Sequence, residues 1–301
     1  MNGNQRGISV DLKEENRQQA FRGADAAINL LIVLALGVVL ASIYAPLLYW
    51  LSRATLSFEQ LHNGGLIVLF ALILSLRRAI RTWRVVPQAT PLGLALIGAG
   101  IACLSLVQYL PGLAIPLALL SFCLSFAGVS AFLFGTAGVR AMLPAMAGIL
   151  LLGILAAIVP TLDWPLRSIA AKGSAGLLDK LGMDVKVALH AGRPPQLLLA
   201  VAGKRFVVAA ECNGFGLLTS SLLAAVILGF HYRLRWLDKL LLLLLAVPWA
   251  ILSNTLRIVG ICLAATHLPL PYVLVHEGIG VVSYAVTLWA LWWLARYTIE
   301  K

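Results

Sequence analysis

The sequence predicts an all-α polytopic membrane protein with about eight transmembrane helices and a small extracytoplasmic segment before span six. That segment is expected to hold an amphipathic helix and short β strands. Of the 301 residues, 61% are hydrophobic and 12% are charged, whereas soluble domains are about 45–50% apolar and about 25% charged. Apolar segments also recur along the chain, and most are long enough to cross a hydrocarbon core of about 30 Å.

The net charge of +11 is explained by topology better than by nucleic acid, because cytoplasmic loops of membrane proteins collect Lys and Arg. No basic run is interleaved with aromatic residues, as single-strand binding requires. With a cytoplasmic N-terminus, 14 of the 23 Lys and Arg residues fall on the inner side. The short loops therefore predict a multi-pass protein of the cell (inner) membrane with both termini in the cytoplasm.

Three regions follow from this topology. Residues 1–27 are polar and form a predicted cytoplasmic tail, residues 28–159 form a five-span membrane region, and residues 160–301 combine the extracytoplasmic segment with a three-span catalytic core. The predicted spans are 28–49, 64–76, 92–109, 113–134, 141–159, 214–230, 240–263 and 276–294.

The interval from residue 160 to residue 205 is the one long polar stretch between spans. Asp163-Trp164-Pro165 predicts a helix start, with Asp as the cap and Pro in the first turn. Apolar residues at helical spacing then predict an interfacial amphipathic helix that ends near Gly182. Three strand-like runs follow, at Val185–His190, Gln196–Val201 and Arg205–Ala210, and a hairpin-like turn joins the last two.

The predicted topology brings three reactive side chains into one layer. Cys212 lies at the outer start of span six, and His276 at the outer start of span eight. Arg257 follows the inner end of span seven by 17 residues, a climb of about 26 Å at 1.5 Å per residue. A thiol, a guanidinium and an imidazole are therefore expected at the outer boundary of the membrane.

These side chains suit acyl transfer by a thiol. Helix N-termini and nearby cations favour the reactive thiolate of a cysteine, His276 can serve as general base and then general acid, and Arg257 can stabilise an oxyanion. Gly214 and Gly216 are expected to leave the backbone open to a peptide. The expected catalytic residues are Cys212, Arg257 and His276, and the expected substrate-binding residues are Asn254, Glu211, Asn213 and Gly214.

Other interpretations of the same residues remain open. A cysteine at a helix start is often structural, an arginine near the end of a span can snorkel, and His267 competes with His276. Glu211 and Glu277 can orient the imidazole, bind substrate or be solvated. Cys212 can also form a disulfide with Cys262.

Two functional alternatives come from other classes. Glu211, Cys212, His276 and Glu277 can be considered as a zinc site, but no ligand spacing supports it, and no cofactor is expected. The second alternative is a multi-span transporter or lipid-linked export component in which Asn254 and Arg257 bind an anionic substrate.

Three blocks resemble the signature motifs of the exosortase/archaeosortase family: Ala210–Gly214, Asn254–Ile258 and His276–Gly280. Their order and spacing are similar to those of the family, and each block precedes or closes a membrane span. The resemblance is strongest over about residues 160–295.

The resemblance implies a membrane cysteine peptidase or transpeptidase with Cys212 as nucleophile and with Arg257 and His276 as its partners. It implies that the substrates are exported proteins with a C-terminal signal of short motif, membrane helix and basic tail, cleaved on the extracytoplasmic side. Many members have Ser where this chain has Asn213, which predicts a divergent subfamily with its own recognition motif.

Overall fold

The structure, a computed structural model, describes residues 31–81, 90–190, 196–208 and 212–299. Helices dominate it, and a short 3₁₀ turn at Pro111–Leu113 precedes the longest one. The predicted cytoplasmic tail, residues 1–27, lies outside the described residues. The elements are α1 Leu31–Ile43, α2 Ala45–Ser57, α3 Glu59–Arg81, α4 Pro91–Leu106, α5 Ala114–Lys180, β1 Val185–His190, β2 Gln196–Val201, β3 Lys204–Val208, α6 Phe215–His231, α7 Trp236–His267 and α8 Tyr272–Ile299.

Several of these helices are long and apolar enough to cross a membrane. Within the described chain, four qualify by length and composition, or up to five if the bent pair α1 and α2 counts as one span. Helices α4 and α6 are apolar but shorter. The prediction of a mostly helical, multi-pass membrane protein with a small sheet is confirmed, whereas the count of eight spans is not.

Helix α5 differs from the sequence prediction. The predicted break after span 113–134 is present as a kink at Gly135, whose φ of 66° is not helical. Span 141–159 and the amphipathic helix, by contrast, form one continuous helix. Pro160 and Pro165 lie inside the helix, so the predicted helix start at Asp163 is wrong. Proline is tolerated in membrane helices where neighbouring groups satisfy the freed backbone. Asp163 is instead a mid-helix residue with side-chain partners of its own.

The described chain divides by its contacts into two compact units. The first comprises the described residues within 1–48 and 76–142. In it the hydroxyl of Tyr44 lies 2.6 Å from that of Ser121 and 2.9 Å from that of Ser125, and Ser121 donates to the Gly100 carbonyl. These polar groups satisfy one another in apolar surroundings. The predicted regional boundaries after residues 27 and 159 stay predictions.

The second unit comprises the described residues within 49–75 and 143–301. Its helical core packs α3 and α5 against the start of α6. Gly64 allows the close approach of α3, because a Cβ there would lie 2.8 Å from the Thr219 side chain of α6. Buried members of this core are Ala54, Leu61, Val68, Leu152, Leu155, Ala156, Val159, Phe215 and Leu223.

A three-stranded antiparallel sheet, ordered β1-β2-β3, follows α5. The turn between β2 and β3 contains Ala202 and Gly203, with φ values of 47° and 79°. Two successive residues with positive φ are what a type I′ hairpin requires. The predicted strands and hairpin are confirmed, although the described part of β3 ends at Val208.

The sheet packs against the end of α5 and against α7. Its buried residues Leu199, Val201 and Val208 share one core with Cys212 and with α7 residues such as Ile258. Lys204, at the hairpin, donates from Nζ to the Ala265 carbonyl at 2.8 Å, near the C-terminus of α7, where a cation is favourable. The sheet therefore supports the segment that carries the cysteine.

Candidate active site

Cys212 lies three residues before α6, which begins at Phe215. Gly214 is the N-cap residue and has a φ of 83°, in the left-handed region that favours glycine. A Cβ at Gly214 would also lie 2.8 Å from the Asn254 amide nitrogen. Backbone conformation and packing thus both require glycine here, and they fix the turn that carries a 7% exposed cysteine.

The structure brings the three predicted catalytic side chains together. The Sγ of Cys212 is 3.4 Å from Nε2 of His276, and Nη2 of Arg257 is 3.4 Å from the same nitrogen. Arg257 comes from α7, and His276 comes from the first turns of α8. The predicted proximity is observed, while the catalytic roles stay predictions.

The hydrogen bonds of His276 favour one tautomer of its neutral ring. A guanidinium can only donate, so Nε2 of His276 accepts from Arg257. The proton of the neutral ring then sits on Nδ1, which faces Oε1 of Glu277 at 3.3 Å. This assignment follows from the network, and it leaves Nε2 unprotonated, with one lone pair that the guanidinium and the thiol share.

Aromatic contacts link the imidazole to the sheet. The Tyr272 ring lies 5.8 Å from the His276 ring between centroids, and the Phe206 ring of β3 lies 6.5 Å from that of Tyr272. The competing histidine, His267, is exposed as the last residue of α7. The geometry therefore favours His276 as the partner of Cys212.

Two buried asparagines hold the cysteine segment. Asn254 donates from Nδ2 to the Cys212 carbonyl at 3.0 Å. Asn213 accepts the N–H of Phe215 at 2.7 Å through Oδ1, and its Nδ2 donates to Asp163 at 2.5 Å. Both asparagines are 2% exposed. Glu211, the other predicted contact beside the cysteine, lies outside the described residues.

The expected open space beside the two glycines is not found. Asn254 fills the position next to Gly214, and a Cβ at Gly216 would lie 2.7 Å from the Tyr284 hydroxyl. The two glycines instead make room for side chains of α7 and α8. The prediction that they leave the backbone open to a peptide was therefore wrong. The role of Gly214 as a substrate contact stays a prediction.

A cleft of about 510 Å³ opens beside the histidine. Helices α3, α6, α7 and α8 all contribute to its walls. Polar lining residues are Glu59, Gln60, Asn63, Ser220, Arg257, His276, Glu277 and Tyr284, and apolar ones are Leu66, Ile67, Val281 and Leu288. The apolar residues lie further along α3 and α8 than the polar residues that begin those helices. The cleft therefore runs from His276 and Arg257 toward an apolar end, and Cys212 is not among its lining residues.

A family profile described as transmembrane exosortase matches residues 50–293. The chain belongs to the transmembrane exosortase family. The match covers every element that contributes to the site. Exosortases are membrane proteins that act on exported proteins with C-terminal sorting signals, which supports a sorting peptidase or transpeptidase role in general terms. Comparison with curated proteins and with solved structures gives no significant match.

The sequence interpretation missed the α3 wall of this exosortase. Residues 51–63 lie between two predicted spans and were assigned to neither, but α3 begins at Glu59, and Glu59, Gln60 and Asn63 line the cleft. The available signal was the spacing of these residues just before an apolar run, since Asn63 follows Glu59 by four positions and Gln60 by three, the spacings that make side chains neighbours on a helix. Tyr284 carried no signal, because one Tyr in an apolar span has many explanations.

Two alternatives for the cysteine can be compared with the structure. Cys212 and Cys262 are both buried, and no disulfide joins them, so the pair considered from the sequence is not formed. No group of three or more His, Cys, Asp or Glu side chains suited to a metal ion occurs in the described part of the chain. The considered zinc set includes Glu211, which lies outside that part.

Proposed function

We propose that this exosortase is a membrane cysteine peptidase or transpeptidase that cleaves a C-terminal sorting signal through Cys212, His276 and Arg257. The observation that carries the proposal is the 3.4 Å approach of the Cys212 thiol to His276 Nε2, with the Arg257 guanidinium at the same nitrogen. A thiol with an adjacent base that a third group orients is the general arrangement of an activated nucleophile.

In the first step, Sγ of Cys212 attacks the carbonyl carbon of the scissile peptide bond, and its proton passes to His276 Nε2. The carbonyl oxygen becomes an oxyanion, which accepts hydrogen bonds from Arg257. When the C–N bond breaks, His276 returns the proton to the leaving amine. The product is a thioester between Cys212 and the exported part of the substrate.

In the second step, water or an acceptor nucleophile attacks the thioester carbonyl. His276 removes a proton from the attacking group, and Arg257 again stabilises the oxyanion. The C–S bond then breaks, and the released thiolate of Cys212 recovers its proton from His276. The mechanism needs no cofactor, and it ends in hydrolysis or in transfer according to which nucleophile attacks.

We assign the two buried asparagines to positioning rather than to substrate contact. The amide of Asn254 holds the Cys212 carbonyl, and both ends of the Asn213 amide are bonded within the protein. Substrate contacts are better assigned to the cleft. The roles in substrate binding predicted for Glu211 and Gly214 remain part of the proposal.

The cleft is the proposed peptide site. Its polar end adjoins His276, and its apolar end suits the apolar segment that follows the cleavage point. Val281 lines the cleft and is 68% exposed, whereas the neighbouring Val282 is 61% exposed but does not line it. We expect Val281→Trp to lower cleavage about tenfold, or ~1.4 kcal/mol, and Val282→Trp to have little effect. Equal effects of the two changes would remove the cleft from the proposal.

The proposal places the site on the extracytoplasmic face. Two exposed residues mark the two sides of the membrane in this proposal. Glu277, with a side chain 73% exposed, lies at the end of α8 next to the site, and Arg235 lies at the start of α7. In intact cells, an impermeant thiol reagent should label Glu277→Cys and spare Arg235→Cys. The reverse pattern would contradict this orientation.

The transporter alternative has less support. Anion binding would use Asn254 and Arg257, yet Asn254 is engaged with the Cys212 carbonyl and Arg257 contacts His276. The cleft also carries the carboxylates of Glu59 and Glu277, which would repel an anion. Membership of the exosortase family adds to the case for the enzyme.

The decisive comparison is between two buried cysteines of the same core. Cys212→Ala should abolish processing of a co-expressed exported protein that carries the sorting tail. Cys262→Ala should preserve it, since Cys262 is 1% exposed and takes no part in the proposed chemistry. Processing that survives Cys212→Ala would refute the proposed function.

A further inference from the structure

The residue after the nucleophile is tied to a helix that the proposed chemistry does not otherwise use. Asn213 has both ends of its amide engaged: Oδ1 accepts from Phe215 N–H at 2.7 Å, and Nδ2 donates to Oδ1 of Asp163 at 2.5 Å. Asp163 belongs to α5, 50 residues earlier in the chain. Asn213 is therefore a bridge between the first turn of α6 and a carboxylate of α5.

The carboxylate is itself held in a defined orientation. Its second oxygen, Oδ2, accepts from Arg167 Nη2 at 2.6 Å, an i,i+4 pair on α5. The side chains of Arg167 and Asp163 are 18% and 27% exposed. One oxygen thus faces the arginine and the other the asparagine. Hydrogen bonds to an ionised acceptor are roughly twice as strong as neutral ones, so this bridge is stronger than a hydrogen bond between two neutral amides.

Two consecutive residues, Cys212 and Asn213, are hydrogen-bonded to two different helices. Asn254 of α7 holds the Cys212 carbonyl at 3.0 Å, while Asp163 of α5 holds the side chain of Asn213. One hydrogen bond holds the carbonyl of the Cys212–Asn213 peptide unit, and the other holds the side chain that follows it. Together they limit backbone rotation at Cys212 and so restrict the direction of the thiol toward His276.

We propose that Asp163 is a positioning residue that acts on Cys212 through Asn213. It touches neither substrate nor reacting atoms, and its carboxylate sets the direction in which the thiol points. This inference rests on the proposed function, in which that thiol is the nucleophile. A shift of about 1 Å in a reacting group can cost about a hundredfold in rate, so a loosened bridge should lower kcat with little change in KM.

The test exchanges the two side chains. Asp163→Asn removes the charge, and Asn213→Asp places two carboxylates against each other, so each single variant should lose about ten- to a hundredfold in kcat. The double variant Asp163→Asn with Asn213→Asp restores one amide and one carboxylate with donor and acceptor reversed. It should recover to within about threefold of the parent, which is about 0.7 kcal/mol. Asp179→Asn, an exposed aspartate near the end of α5, is the matched control and should leave kcat unchanged.

A second measurement separates positioning from folding and from the proposed function itself. The alkylation rate of Cys212 by iodoacetamide, followed by peptide mass spectrometry on full-length protein in detergent, should change several-fold in both single variants and return in the double. Thermal unfolding midpoints of all variants are recorded alongside. This readout needs no peptide substrate, so a failure of the peptidase proposal would leave the positioning claim testable.

Two outcomes would overturn the inference. One is a double variant whose kcat and alkylation changes are the product of those of the single variants, because a bridge must be restored by the exchange. The other is a set of single variants that lose thermal stability while kcat and Cys212 alkylation per folded molecule stay at parental values.

Discussion

The thiol and the imidazole of the proposed site are 3.4 Å apart, but their surroundings differ. Cys212 is 7% exposed, and the asparagines that grip its segment are 2% exposed. On the other side, the His276 side chain is 18% exposed, and the Glu277 carboxylate that faces it is 73% exposed. The thiol side is enclosed by α5, α7 and the sheet, whereas the imidazole side lines the open cleft.

This difference in exposure predicts that substitutions on the two sides affect stability and activity differently. Buried hydrogen bonds are costly to break, because a polar group left without a partner costs about 1–3 kcal/mol. Changes beside Cys212 should therefore reduce stability and activity together. Changes at His276 or Glu277 should reduce activity while stability is kept, because water replaces what is removed. The contrast also suits the proposed chemistry, because the base must exchange protons with solvent or substrate, whereas the nucleophile must keep a fixed orientation.

After the complete loss expected for Cys212→Ala, the largest effect is expected on the open side. His276→Ala should lower kcat by about 10²–10⁴-fold, the usual contribution of a general acid–base group, with an unfolding midpoint close to that of the parent. His267→Ala is the matched control and should keep full activity. If His267→Ala has the greater effect on cleavage, the assignment of the base is wrong.

Arg257→Lys should come next. A lysine keeps the charge but loses the planar fork of donors, and loss of an oxyanion donor typically costs about 10²–10³-fold in kcat. The control is Arg296→Lys, since Arg296 lies over the Trp292 ring near the other end of α8. Cleavage kinetics that are unchanged in Arg257→Lys would show that a point charge suffices there.

Gly214→Ala tests the enclosed side. The added Cβ would meet the Asn254 side chain, and the alanine would have to adopt a left-handed backbone conformation. We therefore expect a loss of about 1–3 kcal/mol in unfolding free energy together with lower activity. Gly278→Ala is the control, because nothing lies within 4 Å of a Cβ at that position on α8. Stability that is equal in the two variants would contradict the tight packing described for the nucleophile turn.

The smallest expected effect is that of Glu277→Gln. The exposed carboxylate orients His276 through a contact that solvent and salt screen, so kcat should fall roughly fivefold or less. The deficit relative to the parent should shrink as ionic strength rises. A loss as large as that of His276→Ala would mean that Glu277 takes a direct part in the reaction.

The sequence was most informative where hydropathy and chain order decide the structure. The strands and the hairpin at Ala202–Gly203 were predictable from strand-like runs and turn residues. The proximity of Cys212, Arg257 and His276 was predictable because apolar spans and loop charges indicate which helix ends share a layer. The continuation of α5 beyond Pro160 was not predictable, because a proline indicates the end of a helix unless the surrounding packing is known.

Long-range polar pairing was the other gap. Nothing local marks Asp163 as the partner of Asn213, because a hydrogen bond across 50 residues leaves no periodic pattern. The α3 wall of the cleft differs, because the helical spacing of Glu59, Gln60 and Asn63 was visible in the sequence, but their place in a cleft with α8 was not. In each case the sequence supplied a local preference, a cap or a loop, and tertiary contacts gave the residue another role.

The most direct test of the central claim is to capture the acyl-enzyme. Full-length protein is isolated with a co-expressed substrate, and the peptide that contains Cys212 is examined by mass spectrometry for a covalent adduct that neutral hydroxylamine removes. We predict a hydroxylamine-labile thioester on Cys212, which ends at the residue before the cleavage point and is absent from Cys212→Ala. Cleavage with no adduct on Cys212, or an adduct on Cys262 instead, would contradict Cys212 as the nucleophile.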